Sequence, residues 1–453
     1  MNRRASQVVA ALAAAGFTAA LASAAHAGPE FTRAAAGRYA LVGGTVHTVT
    51  KGDVENGTVL VDGGRITAVG TGLAVPADAT VIDCKGKQVY PGFIAANTQL
   101  GLIEIETIEG ANDTQETGNI NPNIRAEVMF NPDSDLLPVT RLNGVTSALV
   151  VPGGGAIHGT SALMHLDGWT AEDMTVRAPV GLHVDWPGAQ SVRQFGPGPS
   201  APDADALKAQ AAAVQAIRDA FGDARAYEKA RAAEAAKGSP RHDADARWDA
   251  MRKAVSGEVP VFFHANSARQ IRGVLDFVDE QGLAGAVLVG GGDAWRFADD
   301  LKARGMAVIV GGTLVLPARR YEPYDEGFTL PARLAAAGVR FCISDGGGSG
   351  GAANARNLPF HAGMAAAFGL ARDEALKSVT IYPAQILGVG DRLGSIEAGK
   401  VADLQVTDGD PLEDATHCER VFIGGRPIPM ESRQTRLFQK YDSRPRGAHA
   451  RPR

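Results

Sequence analysis

Val89-Tyr90-Pro91-Gly92-Phe93-Ile94-Ala95-Ala96-Asn97-Thr98-Gln99-Leu100-Gly101 is the stretch on which the fold turns. Its β-branched and aromatic start, its Pro-Gly pair and the apolar run from Phe93 to Ala96 predict a turn that delivers a buried strand. The run ends in two side-chain amides, Asn97 and Gln99, which offer carbonyl oxygens suited to harder cations than zinc.

Upstream, Tyr39 to Val89 reads as short strands of period-2 alternation separated by Gly, Asn and Asp turns, with Asp62-Gly63-Gly64 as a hairpin turn. The same style returns near the other end, over Gly394–Asp410 and from Glu419 onward. Between them, short β-rich runs alternate with Ala-rich helical runs, the pattern of parallel βα units. Candidate strands are 93–98, 145–151, 161–166, 179–184, 259–265, 286–290, 306–311 and 339–344. Eight such runs would close a (β/α)8 TIM barrel with its chemistry at the strands' C-terminal ends. About 201–255 breaks the rhythm: Ala-rich and charged, it predicts one or two exposed helices, read as a neutral insertion.

The 453 residues suffice for a barrel and a smaller domain, and 55 glycines suit many tight strand–loop–helix junctions. A net charge of −5 and the absence of a basic block before Arg444, Arg446, Arg451 and Arg453 argue against a nucleic-acid partner. Asn2-Arg3-Arg4, the apolar segment Val8–Leu21 and Ala25-His26-Ala27 have the order of a secretory signal peptide over 1–27. The mature protein is therefore expected to be periplasmic or secreted from a bacterium, with no membrane association after cleavage. Cys84, Cys342 and Cys418 lack paired spacing and are expected as buried free thiols.

Pro91, Gly92, Phe93, Ile94 and Gly101, with His264, Asp345, the Lys377–Gly388 segment and Gly394–Asp410, resemble the amidohydrolase superfamily in its imidazolonepropionase-like branch. The resemblance implies an α/β fold: a TIM barrel over 91–390, with a β-sandwich assembled from 28–90 and 391–430 and a tail at 431–453. In that family the first strand reads Pro-Gly-Phe/Leu-Ile-Asp-x-His-x-His-x-Gly and its two histidines bind metal. Here Ala95 replaces the Asp, Asn97 the first His and Gln99 the second. By the same resemblance His264, at the fifth strand's tip, and Asp345, at the eighth's, are the catalytic and metal-binding pair, Asp345 as general base. The sixth strand ends Gly290-Gly291-Gly292 without the family histidine, and the fourth ends His183-Val184-Asp185 without a Lys or Glu.

Two ligands seldom hold zinc, since catalytic sites use three. Asn97, Gln99, His183 and Asp185 are the residues available to complete a site for one divalent cation (Zn, Mn or Fe); with none of them the protein binds no metal. Arg125, His158 and His183 are candidate substrate contacts. Arg125 can pair with a carboxylate, and the loop Val151–Thr160 resembles a glycine-rich family loop whose amides can hold one. His47, His165 and His417 read as structural. His361 reads as a polar residue at a helix start.

The first functional expectation is an exported hydrolase of C–N bonds in amides, lactams or related small molecules, acting through metal-activated water. The alternative is an inactive amidohydrolase-like pseudoenzyme that binds a small ligand or a partner subunit, as a homo-oligomer or beside a related chain. A third, weaker, is metal-free hydrolysis by Glu104, Glu106 or Asp113 beside Asp345.

Overall fold

The computed structural model describes residues 36–189, 204–236 and 243–444. The expected signal peptide and residues 445–453 of the expected tail lie outside them. In the tail's described part, Ser432 caps a helix, Arg433–Asp442, with its side chain accepting from Thr435 N.

The two ends of the chain meet in one eight-stranded sheet. Tyr39–His47 pairs antiparallel with Asp53–Asp62 and parallel with Gln88–Pro91, which pairs antiparallel with Leu404–Thr407. Leu41, Val59, Ile66, Val89, Leu404 and Phe422 fill its core. The Pro91-Gly92 pair, expected as a turn, is instead a one-residue break in a continuous extended run. Gln88–Pro91 belongs to this sheet and Phe93–Thr98 to the next. Gly92 N donates to Asp403 O at 2.9 Å while Phe93 N donates to Gly144 O at 2.9 Å, so the chain changes sheets here. Glycine is required: a Cβ at 92 would lie 2.2 Å from the Thr146 side chain.

Strands fall at all eight expected positions in the middle of the chain. They form a four-stranded sheet containing Phe93–Thr98 and Val145–Val150 and a six-stranded sheet. In the latter, Leu182–Asp185, Val261–Ala265, Val287–Gly290, Ala307–Val310 and Phe341–Ile343 pair parallel in succession. One strand departs from the expected parallel pattern. Ile157–Thr160 pairs antiparallel with Leu182–Asp185, and Ala162–His165, its continuation past Ser161, pairs antiparallel with Val145–Val150. The 151–156 connection is of hairpin length, too short for a crossover helix, so the chain can only turn straight back.

Alternation sorts the side chains. Ile94, Ala96, Leu149, Leu163, Phe262, Val289, Ile309 and Cys342 form one cluster, while their neighbours Ala95, Ala148, Met164, Phe263, Leu288, Val308 and Ile343 join the larger one packed under helices. His183 and His264 share the side of their strands with Phe262 and therefore point into the first cluster. Cys84, Cys342 and Cys418 are all free thiols, the first two buried.

The Ala-rich segment forms two helices, Ala204–Ala235 and Ala246–Val255. They are not a neutral addition. Ile217, Phe221, Met251 and Ala254 are buried, and the Phe221 ring meets Phe277 edge-on at 5.2 Å. The pair covers the Leu182–Asp185 and Val261–Ala265 strands in the place of a crossover helix. Phe221→Ala is expected to lower the unfolding free energy by about 3–5 kcal/mol through cavity formation. Urea denaturation checks this, and a loss within about 0.5 kcal/mol, the range of a surface change, contradicts it.

Candidate active site

Parallel register puts Asp185 directly opposite His264 at the C-terminal ends of adjacent strands, and His183 opposite Phe262. The hairpin return brings His158 up from the other side, because His183 pairs with Gly159 and Val184 with Ile157. Four residues read separately in the sequence thus converge. His158 Nε2 lies 3.1 Å from Asp185 Oδ2, and His264 Nδ1 lies 4.0 Å from Asp185 Oδ1. His183 Nδ1 is 2.9 Å from His264 Nε2, so one proton is shared between the two rings. His158 Nδ1 faces the Pro152 carbonyl oxygen at 3.1 Å and, since that oxygen only accepts, donates to it.

Burial and mutual proximity set the charges. His183 is fully buried and stacks on Phe262; burial, then His264 and His158, hold it well below the ordinary histidine value. Burial takes His264 down to about 4, partly countered by Asp185. Asp185 is held below the usual carboxylate value: its surroundings raise it, but His158 and His264 together outweigh that. The three groups His158, Asp185 and His264 each offer one ligand atom, all within 4.8 Å of one another. Among the described residues they are the group of three His, Cys, Asp or Glu side chains close enough together to hold a cation.

Asp345 lies at the same end of the sheet, two residues beyond Phe341–Ile343. It is buried, and neither carboxylate oxygen reaches a hydrogen-bond partner. Burial pushes its pKa up to about 7, and the nearby N–H groups of Asp345 and Gly347 offset this only in part. Asn97 is buried against the loop after Asp345, where a Cβ on Gly347 would come 2.4 Å from its Nδ2. Gln99 turns instead toward Gly153, whose Cβ would meet its Nε2 at 2.8 Å. These contacts put Asn97 against the loop that follows Asp345 and Gln99 against the residue after Pro152, whose carbonyl holds His158.

Arg125 does not reach this end. The 115–125 segment runs parallel to the hairpin return, with Gln115 bridging Gly153, Ile120 bridging Ile157 and Arg125 bridging Thr160. Arg125 is thereby carried toward the opposite end of the strands, where it is exposed and pairs with Glu127 at 2.7 Å. The glycine-rich loop is not free to cradle a carboxylate with the amides of Gly153, Ala156 and Ile157. These donate to Thr114 O and Asn119 O.

Of the acidic loop, Glu106 accepts from Ser349 Oγ at 2.7 Å, tying this loop to the one that follows Asp345. His361 Nδ1 accepts from Thr313 N at 3.0 Å and Leu314 N at 3.2 Å, so the ring pins the 313–314 turn. His47, His165 and His417 each face a carboxylate: Asp53 at 2.9 Å, Asp403 at 3.0 Å and Asp408 at 3.0 Å. One residue escaped the sequence reading. Asp293, buried behind the Gly290–Gly292 turn, accepts from Ala268 N at 2.8 Å and from Arg319, holding two loops at the mouth. A glycine run closed by an acid was its signal. Beside the cluster, a groove of about 680 Å3 runs past Asn266, Gly290, Gly312, Val315 and Arg319.

Residues 326–428 match the Amidohydrolase family model. Over 423 residues the chain is 26% identical to amidohydrolase tasK of Hapsidospora irregularis, a match covering 82% of this chain and 39% of that protein. It is 30% identical over 145 residues to an imidazolonepropionase of Syntrophobacter fumaroxidans, covering 32% of each. The matches thus span less than half the length of these relatives. Among solved structures, an amidohydrolase from Thermotoga maritima aligns with a TM-score of 0.75 at 25% identity, over 86% of this chain and 99% of that one. Family model, relatives and shared mixed α/β architecture agree, and the chain is a member of the amidohydrolase superfamily.

Proposed function

We propose that the protein is an exported hydrolase of C–N bonds in small molecules, amides or lactams other than ordinary peptides, with its chemistry at the C-terminal strand ends. The two central sheets are, in this reading, the halves of one (β/α)8 barrel. In support, the 157–165 run crosses from one sheet to the other at Ser161, and on the far side Ser378 O and Val379 O accept from Ile343 N and Ile94 N. Export rests on the basic, apolar and small-residue order of the first 27 residues.

The observation that carries the activity is Asp345. An unpartnered buried carboxyl destabilises a fold, and a pKa near neutrality is what a general base needs. Asp345 takes a proton from the attacking water and returns it to the leaving nitrogen. His264, held in orientation by His183, turns Nδ1 toward the same strand ends, where it would hold a cation that polarises the scissile carbonyl. A divalent cation bound at these strand ends would supply Lewis-acid polarisation of water and carbonyl. The groove beside Asn266 has room for the substrate's remainder, and Glu106 with Ser349 closes the loop above.

Two outcomes test this. Asp345→Asn should lower kcat on a cleaved amide or lactam about 10²–10⁴-fold. The parent's kcat/KM should rise as pH increases through about 7, the value to which burial lifts this acid, and the variant should lose that limb. Screening of amides and lactams with a pH series reads both; equal activity in the variant refutes the assignment. The stability effect has the opposite sign to that of a paired carboxylate. Because the folded pKa is raised, the stability that neutral Asp345 contributes is complete below about 4, the unfolded value, and lost as pH rises toward 7. Asp345→Asn should therefore unfold at higher urea than the parent at pH 8 and at similar urea at pH 4.

A further inference from the structure

We propose that His158 Nε2, Asp185 and His264 Nδ1 form a three-ligand centre for one divalent cation of the zinc, iron or manganese class. It draws on the third, fourth and fifth strands in place of the first-strand pair that Asn97 and Gln99 have replaced. The proposal deepens the hydrolase reading and rests on it for its purpose, while the site itself stands on proton inventory and distance.

His158 spends its Nδ1 proton on the Pro152 carbonyl oxygen at 3.1 Å, so a neutral ring presents a bare lone pair at Nε2. That nitrogen faces Asp185 Oδ2 at 3.1 Å, a contact that needs either a proton on Nε2 or a cation between the two atoms. With Nε2 unprotonated, the two acceptors repel at this distance, and a cation held between them removes the repulsion. On the other side, His264 Nδ1 sits 4.0 Å from Asp185 Oδ1, too far for a hydrogen bond. When His264 donates its Nε2 proton to His183 Nδ1 at 2.9 Å, its Nδ1 lone pair is also free. Ligands bonded at about 2.1 Å to a tetrahedral ion stand about 3.4 Å apart, and the two contacts to Asp185 bracket that separation.

Each imidazole thus has its outer nitrogen held, one by a backbone carbonyl and one by a second histidine. The carbonyl fixes the tautomer of His158 as outer-shell acceptors do for ligating histidines, and His183 frees Nδ1 of His264 in the form in which its own Nδ1 accepts. Two imidazoles and a carboxylate suit zinc, iron(II) or manganese(II), with a position left for water. Asp185, at 54% side-chain exposure, lies on the solvent side and gives the ion its entry.

The test is direct metal binding, read without turnover. Protein stripped with chelator is titrated with Zn²⁺ by calorimetry and with Co²⁺ by visible absorption. About one equivalent should bind, with the intense d–d bands of a low-coordinate site. His158→Ala and Asp185→Asn should each abolish stoichiometric binding, while Asn97→Ala, Gln99→Ala and Asp345→Asn retain it. His183→Phe should weaken binding about 10–100-fold by freeing the His264 tautomer. Circular dichroism separates loss of a ligand from loss of fold, and Asp185→Asn, a half-exposed isostere, serves if His158→Ala does not fold. Failure of the parent to bind either ion would overturn the proposal and leave His158 as an imidazolium paired with Asp185. Binding that survives Asp185→Asn but is lost with Asn97→Ala or Asp345→Asn would overturn it as well. Neither result bears on whether Asp345→Asn abolishes hydrolysis, so the two readings fail separately.

Discussion

Parallel, in-register pairing of Leu182–Asp185 with Val261–Ala265 is the constraint on which the site depends. It sets Asp185 opposite His264 and, by alternation, turns His183 and His264 to the same face. A slip of one residue would send both imidazoles under the helices and bring Val184 and Phe263 inward. The antiparallel strand on one flank adds His158 at the matching height, and the parallel strands on the other carry the chain to Asp345. The groove, the Asp293–Arg319 clasp and the His361 turn are all built around these tips.

Polar groups so deep in an apolar cluster are costly, and each is tolerated for an identifiable reason. His183 and His264 share one proton, His158 is tethered by a main-chain carbonyl, and burial keeps His183 and His264 neutral. Among the described residues Asp345 has no counter-charge, and only the nearby N–H groups of its own residue and Gly347 offset its burial. A packing role would be better served by an apolar or amide side chain, which makes this buried acid a candidate for chemistry. His165, on the other hand, is matched with Asp403 near the junction of the sheets, where a buried pair secures the fold.

Much of this architecture was legible in the sequence. Strand positions followed from apolar alternation bounded by glycine, and the terminal segments announced their shared sheet through matching hairpin patterns. His183, Asp185, His264 and Asp345 were each visible as polar residues at strand tips, and His158 as part of a glycine-rich loop. Their grouping was not. It depends on the antiparallel return of one strand, which reverses which end of 157–165 faces the mouth. Arg125 misled for a related reason: it follows a loop that begins at the mouth and then runs the length of the hairpin. The tautomer of His158 is set by the carbonyl of Pro152, a backbone atom that no residue pattern reveals. The Ala-rich helices were misjudged because Phe221 and Ile217 are sparse in sequence yet fall on one helical face.

The most direct measurement is anomalous X-ray diffraction from crystals of the protein grown with zinc, recorded on both sides of the zinc edge. The account predicts one strong anomalous peak within bonding distance of His158 Nε2, an Asp185 oxygen and His264 Nδ1. A peak held by Asn97, Gln99 or Asp345, or no ordered zinc near His264, would contradict it.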